Sequence, residues 1–202
     1  MISRFFAYDL TVGIKRARLI LVMRSLNLQL VGVTPILLHH ISRHQFREQL
    51  AIRNGEQTIE EEALEVMVKD SDGNPAVPVS WLWDAVRVGC SRIAVAGNQL
   101  SFIKFQAALH LPFGVLPLRD TDNHVPVLKP YSSIQHAAPG SKKSMVVVAP
   151  MFDDWMLTVR AVRDDTYDDG FLRRIFNEAG KAGIGLFHPP KKQFGQFRCE
   201  II

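Results

Sequence analysis

Apolar and polar residues alternate from Ser25 onward in a pattern typical of a β-strand. The segment SLNLQLVGVTPILL starts with this alternation and becomes continuously apolar toward Leu38. It predicts a strand that is buried on both faces at its far end and interrupted by Gly32 and Pro35. At the other end of the chain, QFGQFRCEII alternates again. The pattern therefore predicts a core strand near each end of residues 25–202.

Two segments show the three- and four-residue apolar spacing of amphipathic helices. In the first, which follows Val79, Ser80 is the predicted N-cap and Gly97 the predicted end. Its apolar stripe comprises Leu82, Ala85, Val86, Gly89, Cys90 and Ile93, and the side chains predicted to face outward are Trp81, Arg87 and Ser91. The stripe of the second comprises Phe171, Leu172, Ile175, Phe176 and Ala179. Asp168 and Asp169 precede it, where carboxylates suit the helix dipole.

The segments between these elements predict further strands and one long loop. Alternation over residues 64–69 predicts a strand, followed by a turn at Asp72-Gly73. Residues 100–118 predict one or two strands, and residues 145–149 and 155–162 predict a hairpin with the turn PMFDD. Residues 119–144 predict a polar loop, which at that length is either functional or without fixed structure.

The order of the predicted elements indicates an α+β fold. Without its insertions the order approximates β-α-β-β-α-β, the ferredoxin-like (RRM-like) arrangement. The prediction is a single domain over residues 25–202, with insertions at about 39–75 and 119–144. This fold serves enzymes and RNA-binding proteins alike, so it does not decide the function.

The net charge of +4 is concentrated near the N-terminus. Residues 1–25 carry five basic side chains against Asp9 and hold the whole excess, so the rest of the chain is neutral. Within that rest, residues 45–53 are basic, whereas residues 56–72 and 153–169 are acidic. A nucleic-acid site must therefore be a local groove, because a basic field over the whole protein is absent.

The first 24 residues predict an N-terminal extension that has no fixed structure, and Met23 is a candidate alternative start. The apolar run at residues 19–23 is too short for a signal sequence or a membrane span, and no other stretch approaches about 18 apolar residues. Cys90 and Cys199 form neither a disulfide framework nor a metal pattern. These observations favour a protein of a reducing, cytoplasmic compartment without a membrane partner.

The segment GKAGIGLFHPPKKQFGQF, residues 180–197, carries the first candidate chemistry. Its glycines are predicted to end the second helix, and Pro189 and Pro190 prevent the helix from resuming. A glycine-rich basic loop between a helix and a strand can present backbone N–H groups and ammonium groups to phosphates. Alternatively, these glycines only cap a helix and turn the chain, since the phosphate-loop spacing GxxxxGK[ST] is absent.

Three further groups of polar residues are candidates. The segment HHISRHQFREQLAIRN, starting at His39, places Arg43 and Arg47 one helical turn apart. Its histidines suggest metal binding, but no carboxylate or cysteine stands at a matching spacing, so no metal or other cofactor is predicted. In the long loop, Tyr131 and His136 are candidates for stacking on bases, and Lys142 and Lys143 for touching phosphates. Asp70 and Asp72 form a carboxylate pair that turn chemistry explains more simply.

Three passages resemble the RAMP superfamily of CRISPR effector proteins, in particular the repeated backbone subunit that holds guide RNA. LVGVTPILLHH is similar to the family's opening strand, and DGNPAVPVSWLWDAVRVG to its turn, proline and helix ending in an arginine, here Arg87. AGKAGIGLFHPPKKQFGQFRCEII is similar to its glycine-rich loop and last strand. The chain departs from the family by lacking the GSS turn after the proline and by carrying HPPKK where an arginine is frequent.

The resemblance implies sequence-tolerant binding of single-stranded RNA, a guide and its target strand, by repeated copies along the strand together with other effector subunits. The residues it implies as nucleic-acid contacts, together with the basic candidates above, are His39, His40, Arg43, Arg47, Arg87, Lys142, Lys143, Gly183, Gly185, His188, Lys191 and Lys192. Some members of the superfamily cut RNA with an aspartate of an insertion loop. Asp70 and Asp72 are the acidic positions to test, and no activity is expected.

Two other classes of function stay open at the sequence level. The first is a RAMP-type endoribonuclease, in which His39, His40, His44 or His188 would act as general acid or base. The second is a structural assembly protein or a single-stranded DNA binder. Salt-dependent binding of single strands, and RNA shortening with or without a chelator, distinguish these alternatives.

Overall fold

The strand β1 (Arg24–Gly32) lies in the interior of a four-stranded antiparallel sheet. The computed structural model describes residues 23–39, 58–95, 98–136, 144–186 and 193–202. The other strands in these ranges are β2 (Ile36–Leu37), β3 (Ala76–Pro78), β4 (Ala94–Val95), β5 (Asn98–Gln99), β6 (Leu109–His110), β7 (Val115–Pro117), β8 (Lys129–His136), β9 (Ser144–Phe152), β10 (Met156–Arg163) and β11 (Phe197–Ile201). The helices are α1 (Ile59–Glu65), α2 (Val79–Ser91), α3 (Phe102–Ala108) and α4 (Asp169–Ala182). The chain is therefore an α+β protein with antiparallel sheets.

The main sheet has the strand order β11-β1-β10-β6. Leu28 is paired with Val159 of β10 and Leu30 with Cys199 of β11, and all four side chains are buried. Side chains alternate across a strand, so Asn27, which precedes Leu28, lies on the opposite, open face of the sheet and is exposed. The predicted first and last strands are thus confirmed, and they are direct neighbours.

Helices α2 and α4 pack against each other and share one core with the inward side chains of the main sheet. The predicted stripe of α2 is confirmed, since Leu82, Val86 and the rest of the stripe are buried. The helices approach closely at Gly89, where an added Cβ would lie 2.7 Å from the Ile175 carbonyl oxygen. Pro78 is the N-cap and offers no side-chain hydrogen bond, so the prediction of Ser80 as cap is wrong, and the helix ends at Ser91 rather than at Gly97.

A second sheet has the order β2-β9-β8, and its connection to the main sheet corrects the predicted hairpin. Strand β9 pairs with β2 and β8, whereas β10 pairs with β1 and β6. The consecutive strands β9 and β10 therefore do not pair with each other. Strand β9 lies beside β2, and β10 lies beside β1. The buried Trp155 marks the change of sheet, because its backbone oxygen accepts from Gly32 N at 2.8 Å and its indole donates to the Thr34 carbonyl at 2.8 Å.

Two segments predicted as strands contain helices: α1 ends within the segment 64–69, and α3 lies within the segment 100–118. Residues 59–65 form α1 because Thr58 and Glu61 make a reciprocal capping box, with Thr58 Oγ1 accepting from Glu61 N at 3.2 Å. Within residues 100–118, Ser101 accepts from Lys104 N and starts α3, which buries Phe105 and Ala108. Strands there are limited to the short β6 and β7.

The predicted polar loop at residues 119–144 contains the eight-residue strand β8. It pairs along its whole length with β9, from Lys129 opposite Met151 to His136 opposite Ser144. Of the predicted N-terminal extension at residues 1–24, residues 1–22 lie outside the described residues, and its last residue, Arg24, belongs instead to β1. Where the chain is described, none of its helices has the length and apolar character needed to span a bilayer.

Candidate functional site

The glycine-rich loop starts where α4 ends. The prediction that Gly180 breaks the helix is wrong, because the helix continues through it to Ala182. Gly183 is the C-cap at φ 76° and Gly185 follows at φ 86°. Both angles lie in the region that L side chains rarely adopt, so glycine is required here for the conformation of the backbone.

Backbone hydrogen bonds fix this loop to the connection between β1 and β2. Leu186 N donates to the Leu37 carbonyl at 3.0 Å, Ile184 N to the Gly195 carbonyl at 3.0 Å, and Gly195 N to the Pro35 carbonyl at 2.7 Å. The chain thus leaves the described region at Leu186 and returns at residue 193 beside the same connection. Residues 187–192, which include His188, Lys191 and Lys192, lie outside the described residues. On either side of them, Leu186 and Gly195 are hydrogen-bonded to the connection between β1 and β2.

A cleft of about 310 Å³ separates this loop from α2. Trp81, Asp84, Ala85 and Val88 line it from the helix, and Ala182, Gly183, Ile184 and Gly185 line it from the loop. Its walls are therefore mostly apolar and small, with one carboxylate. Such a cleft can receive a flat or extended ligand between the helix and the loop.

Arg87 stands next to two residues of the cleft wall, Asp84 and Val88. Its guanidinium lies 3.7 Å from the Asp84 carboxylate and 5.0 Å from the centre of the Phe102 ring. The side chains of Arg87 and Asp84 are 63% and 67% exposed, so their ion pair contributes at most about 1 kcal/mol. A guanidinium has five donors, and those that do not face Asp84 can bind a phosphate.

The other predicted contact residues are either buried or outside the described residues. His39 is 5% exposed, so its imidazole has little surface to offer a ligand. His40, Arg43, Arg47, Lys142 and Lys143 lie outside the described residues. The described predicted residues that the fold brings to one place are Gly183 and Gly185 on the cleft wall and Arg87 beside it.

Tyr131 links strand β8 to the returning end of the glycine-rich loop. Its ring meets the ring of Phe194 edge-on, with 5.4 Å between centroids. Phe194 lies two residues after Lys192. The predicted stacking residue of the long loop thus lies beside the segment where the described chain resumes after residue 192.

The carboxylates and thiols have structural roles. Asp70 Oδ1 accepts from Asp72 N at 3.0 Å and Asn74 N at 2.9 Å, which confirms the interpretation as turn chemistry. Cys90 and Cys199 are free and buried, and burial raises the pKa of Cys90 to about 11 and that of Cys199 to about 12. Both therefore stay protonated near neutral pH and are poor nucleophiles. No group of three or more potential metal ligands gathers within the described parts of the chain.

Sequence reasoning missed the cleft-lining role of Trp81, Asp84 and Val88. These residues have the spacing i, i+3 and i+7 on one side of α2, next to its buried stripe. Their spacing was available in the sequence. The element that faces them was not, because it depends on how α2 and the end of α4 pack.

Similarity to known proteins is found among solved structures. No protein-family model matches the chain, and no curated protein matches it. The crystal structure of Cmr6 from Pyrococcus furiosus is similar to this chain with a TM-score of 0.46 and 9% sequence identity, over 87% of this chain and 97% of Cmr6.

Proposed function

We propose that this protein binds single-stranded RNA without strong sequence preference, along the cleft between α2 and Gly183–Gly185. The observation that carries the proposal is this cleft, because the helix of Arg87 forms one wall and the start of the glycine-rich loop forms the other. The basic residues of that loop follow Gly185 in sequence. Two segments that are far apart in sequence thereby contribute to one surface.

The chemistry of this surface is better suited to binding a single-stranded nucleic acid than to reading the bases of a duplex. Gly183 and Gly185 form one wall of the cleft, and Trp81 provides an aromatic wall for a base or a sugar. Arg87 supplies positive charge beside the cleft, and we infer the same role for Lys191 and Lys192, which follow Gly185 in sequence. Such charge attracts the phosphate backbone irrespective of sequence, and Asp84 opposes this attraction locally.

The order of the core elements supports a ferredoxin-like core as the framework of this site. Along the chain, β1, α2, β6, β10, α4 and β11 follow the order β-α-β-β-α-β, and the sheet order is β11-β1-β10-β6. The remaining strands and α1 and α3 are then insertions. With the resemblance of three sequence passages to the RAMP superfamily, this favours a CRISPR-related subunit that binds guide RNA in repeated copies along the strand.

The direct test is the binding of fluorescein-labelled 30-mer oligouridine and of a DNA oligonucleotide of the same length, measured by anisotropy from 50 to 500 mM KCl. We expect the RNA to bind and log K to fall linearly with log [KCl], at a slope of about −0.7 per phosphate contacted. Light scattering before and after RNase treatment shows whether copies assemble on the strand. No binding of RNA at 50 mM KCl would falsify the proposal.

The double variant Lys191→Glu, Lys192→Glu locates the site. It should weaken RNA binding and lower the magnitude of the salt slope by about 1.4, if each lysine neutralises one phosphate. Lys69→Glu, Lys104→Glu is the matched control, because it makes the same charge change at exposed lysines outside the cleft. An unchanged slope in the first variant would remove the loop from the site, as would an equal loss in the control.

A further inference from the structure

Phe113 is fully exposed. At 101% relative exposure, it is the most exposed of the large apolar side chains in the described parts of the chain. Covering an aromatic ring of this size with a ligand would remove a large apolar area from water, which favours binding.

A rigid turn holds Phe113 in place. Gly114 follows at φ 88°, and its carbonyl accepts from Val79 N, the first residue of α2, at 3.0 Å. Leu111 before the turn and Leu116 after it are buried in the core, and β7 pairs with β3. The ring therefore projects from a backbone whose two ends cannot move independently.

The turn is also attached to the cleft. Val79, which bonds to the turn, lies two residues before Trp81 of the cleft wall. The segment 109–118 contains no carboxylate, and the first turn of α2 contains none. Neither of these two segments would therefore repel a phosphodiester chain that leaves the cleft over this end of the helix.

We propose that Phe113 is a stacking surface for one base of a single strand bound in the cleft, an inference that rests on the proposed function. A single ring matches the face of one base, and each base has such a face irrespective of its identity. A protein partner is less well matched, because a specific interface buries about 800 Å² per partner in a contiguous patch. Phe113 stands between Pro112 and Gly114 and contributes only one ring.

The test compares wild-type protein with Phe113→Ala, Phe113→Leu and Phe113→Tyr in the anisotropy assay with oligouridine at fixed KCl. Loss of one stacked base predicts about 5- to 150-fold weaker binding for Phe113→Ala and for Phe113→Leu. Phe113→Tyr should bind within about threefold of wild type, since its ring also stacks. The salt slope should stay unchanged in all three variants, because no charge is removed.

A second measurement needs no variant. Oligouridine containing 4-thiouridine, irradiated in complex with wild-type protein, should form a crosslink in the tryptic peptide 105–119, which contains Phe113.

The outcomes separate the two proposals. Wild-type affinity in Phe113→Ala, or in Phe113→Leu, overturns the stacking role while RNA binding by the wild type upholds the proposed function. Wild-type RNA affinity in Phe113→Leu, together with a smaller assembly of Phe113→Ala in light scattering, would identify Phe113 as a protein contact. That result would also overturn the stacking role. Absence of RNA binding by the wild type removes both proposals at once.

Discussion

Two loops of this protein turn the chain through glycines at positive φ, and they are built in different ways. In the turn at Asp70–Asn74, Gly73 has φ 82°, and an added Cβ would meet nothing within 4 Å. In the glycine-rich loop, Gly185 and Gly195 have φ 86° and 67°, and an added Cβ would lie 2.7 Å from the Leu37 oxygen and 1.8 Å from the Ile184 oxygen, respectively. The Asp70–Asn74 turn needs glycine only for its backbone conformation, whereas the glycine-rich loop also needs the absence of a side chain.

This difference bears on which loop can form a site. The Asp70–Asn74 turn is held by hydrogen bonds to its own aspartate and projects into solvent. The glycine-rich loop is held by backbone bonds to a distant part of the chain, at Pro35 and Leu37. The described ends of the glycine-rich loop are therefore held in one position relative to the core, as a scaffold for a binding site requires.

The largest effect is expected for Gly195→Ala. Strain at φ 67° and the overlap with the Ile184 oxygen each cost about 1–3 kcal/mol, so the free energy of unfolding should fall by about 3–5 kcal/mol. Urea denaturation followed by tryptophan fluorescence measures this loss. A loss below about 1 kcal/mol would show that the loop can shift away from Ile184, and the contrast with Gly73 would disappear.

Gly180→Ala isolates close packing from backbone conformation. Gly180 lies within α4 without a positive φ, and an added Cβ would lie 1.9 Å from the Phe197 oxygen of β11. We expect a loss of about 2–3 kcal/mol, since overpacking exceeds the gain of about 1 kcal/mol in helix propensity. Gly170→Ala in the first turn of the same helix is the control, because its nearest contact is a side-chain oxygen at 3.3 Å. Similar stability of the two variants would contradict the close approach of α4 and β11.

The same distinction between local and distant causes explains what the sequence could predict. The stripes of α2 and α4, the strands β1 and β11 and the turn at Asp72-Gly73 were predictable, because spacing and turn residues are local properties. Thr58 and Glu61 were an available sign of α1, but the alternation of Leu64, Val66 and Val68 was given more weight. Strand β8 has no such sign, since it depends on pairing with β9.

The candidate site follows the same rule. Gly183, Gly185 and Arg87 were named from the sequence, whereas the cleft between them depends on the crossing of α2 and α4 at Gly89. The burial of His39 is also a tertiary effect. A run of histidines and arginines after a strand looks uniformly exposed in sequence, yet the chain stays buried beyond the end of β2 through His39.

Gly73→Ala should have the smallest effect and completes the comparison. Its cost is the left-handed conformation alone, about 1–2 kcal/mol, reduced by about 0.4–1 kcal/mol because alanine restricts the unfolded chain. We therefore expect a net loss of about 1 kcal/mol in urea denaturation, with Gly73→Asn closer to wild type because asparagine tolerates this region. RNA affinity should be unchanged in both variants. If Gly73→Ala instead lost as much stability as Gly195→Ala, conformational strain alone would account for both, and close packing against Ile184 would no longer distinguish the glycine-rich loop from an ordinary turn.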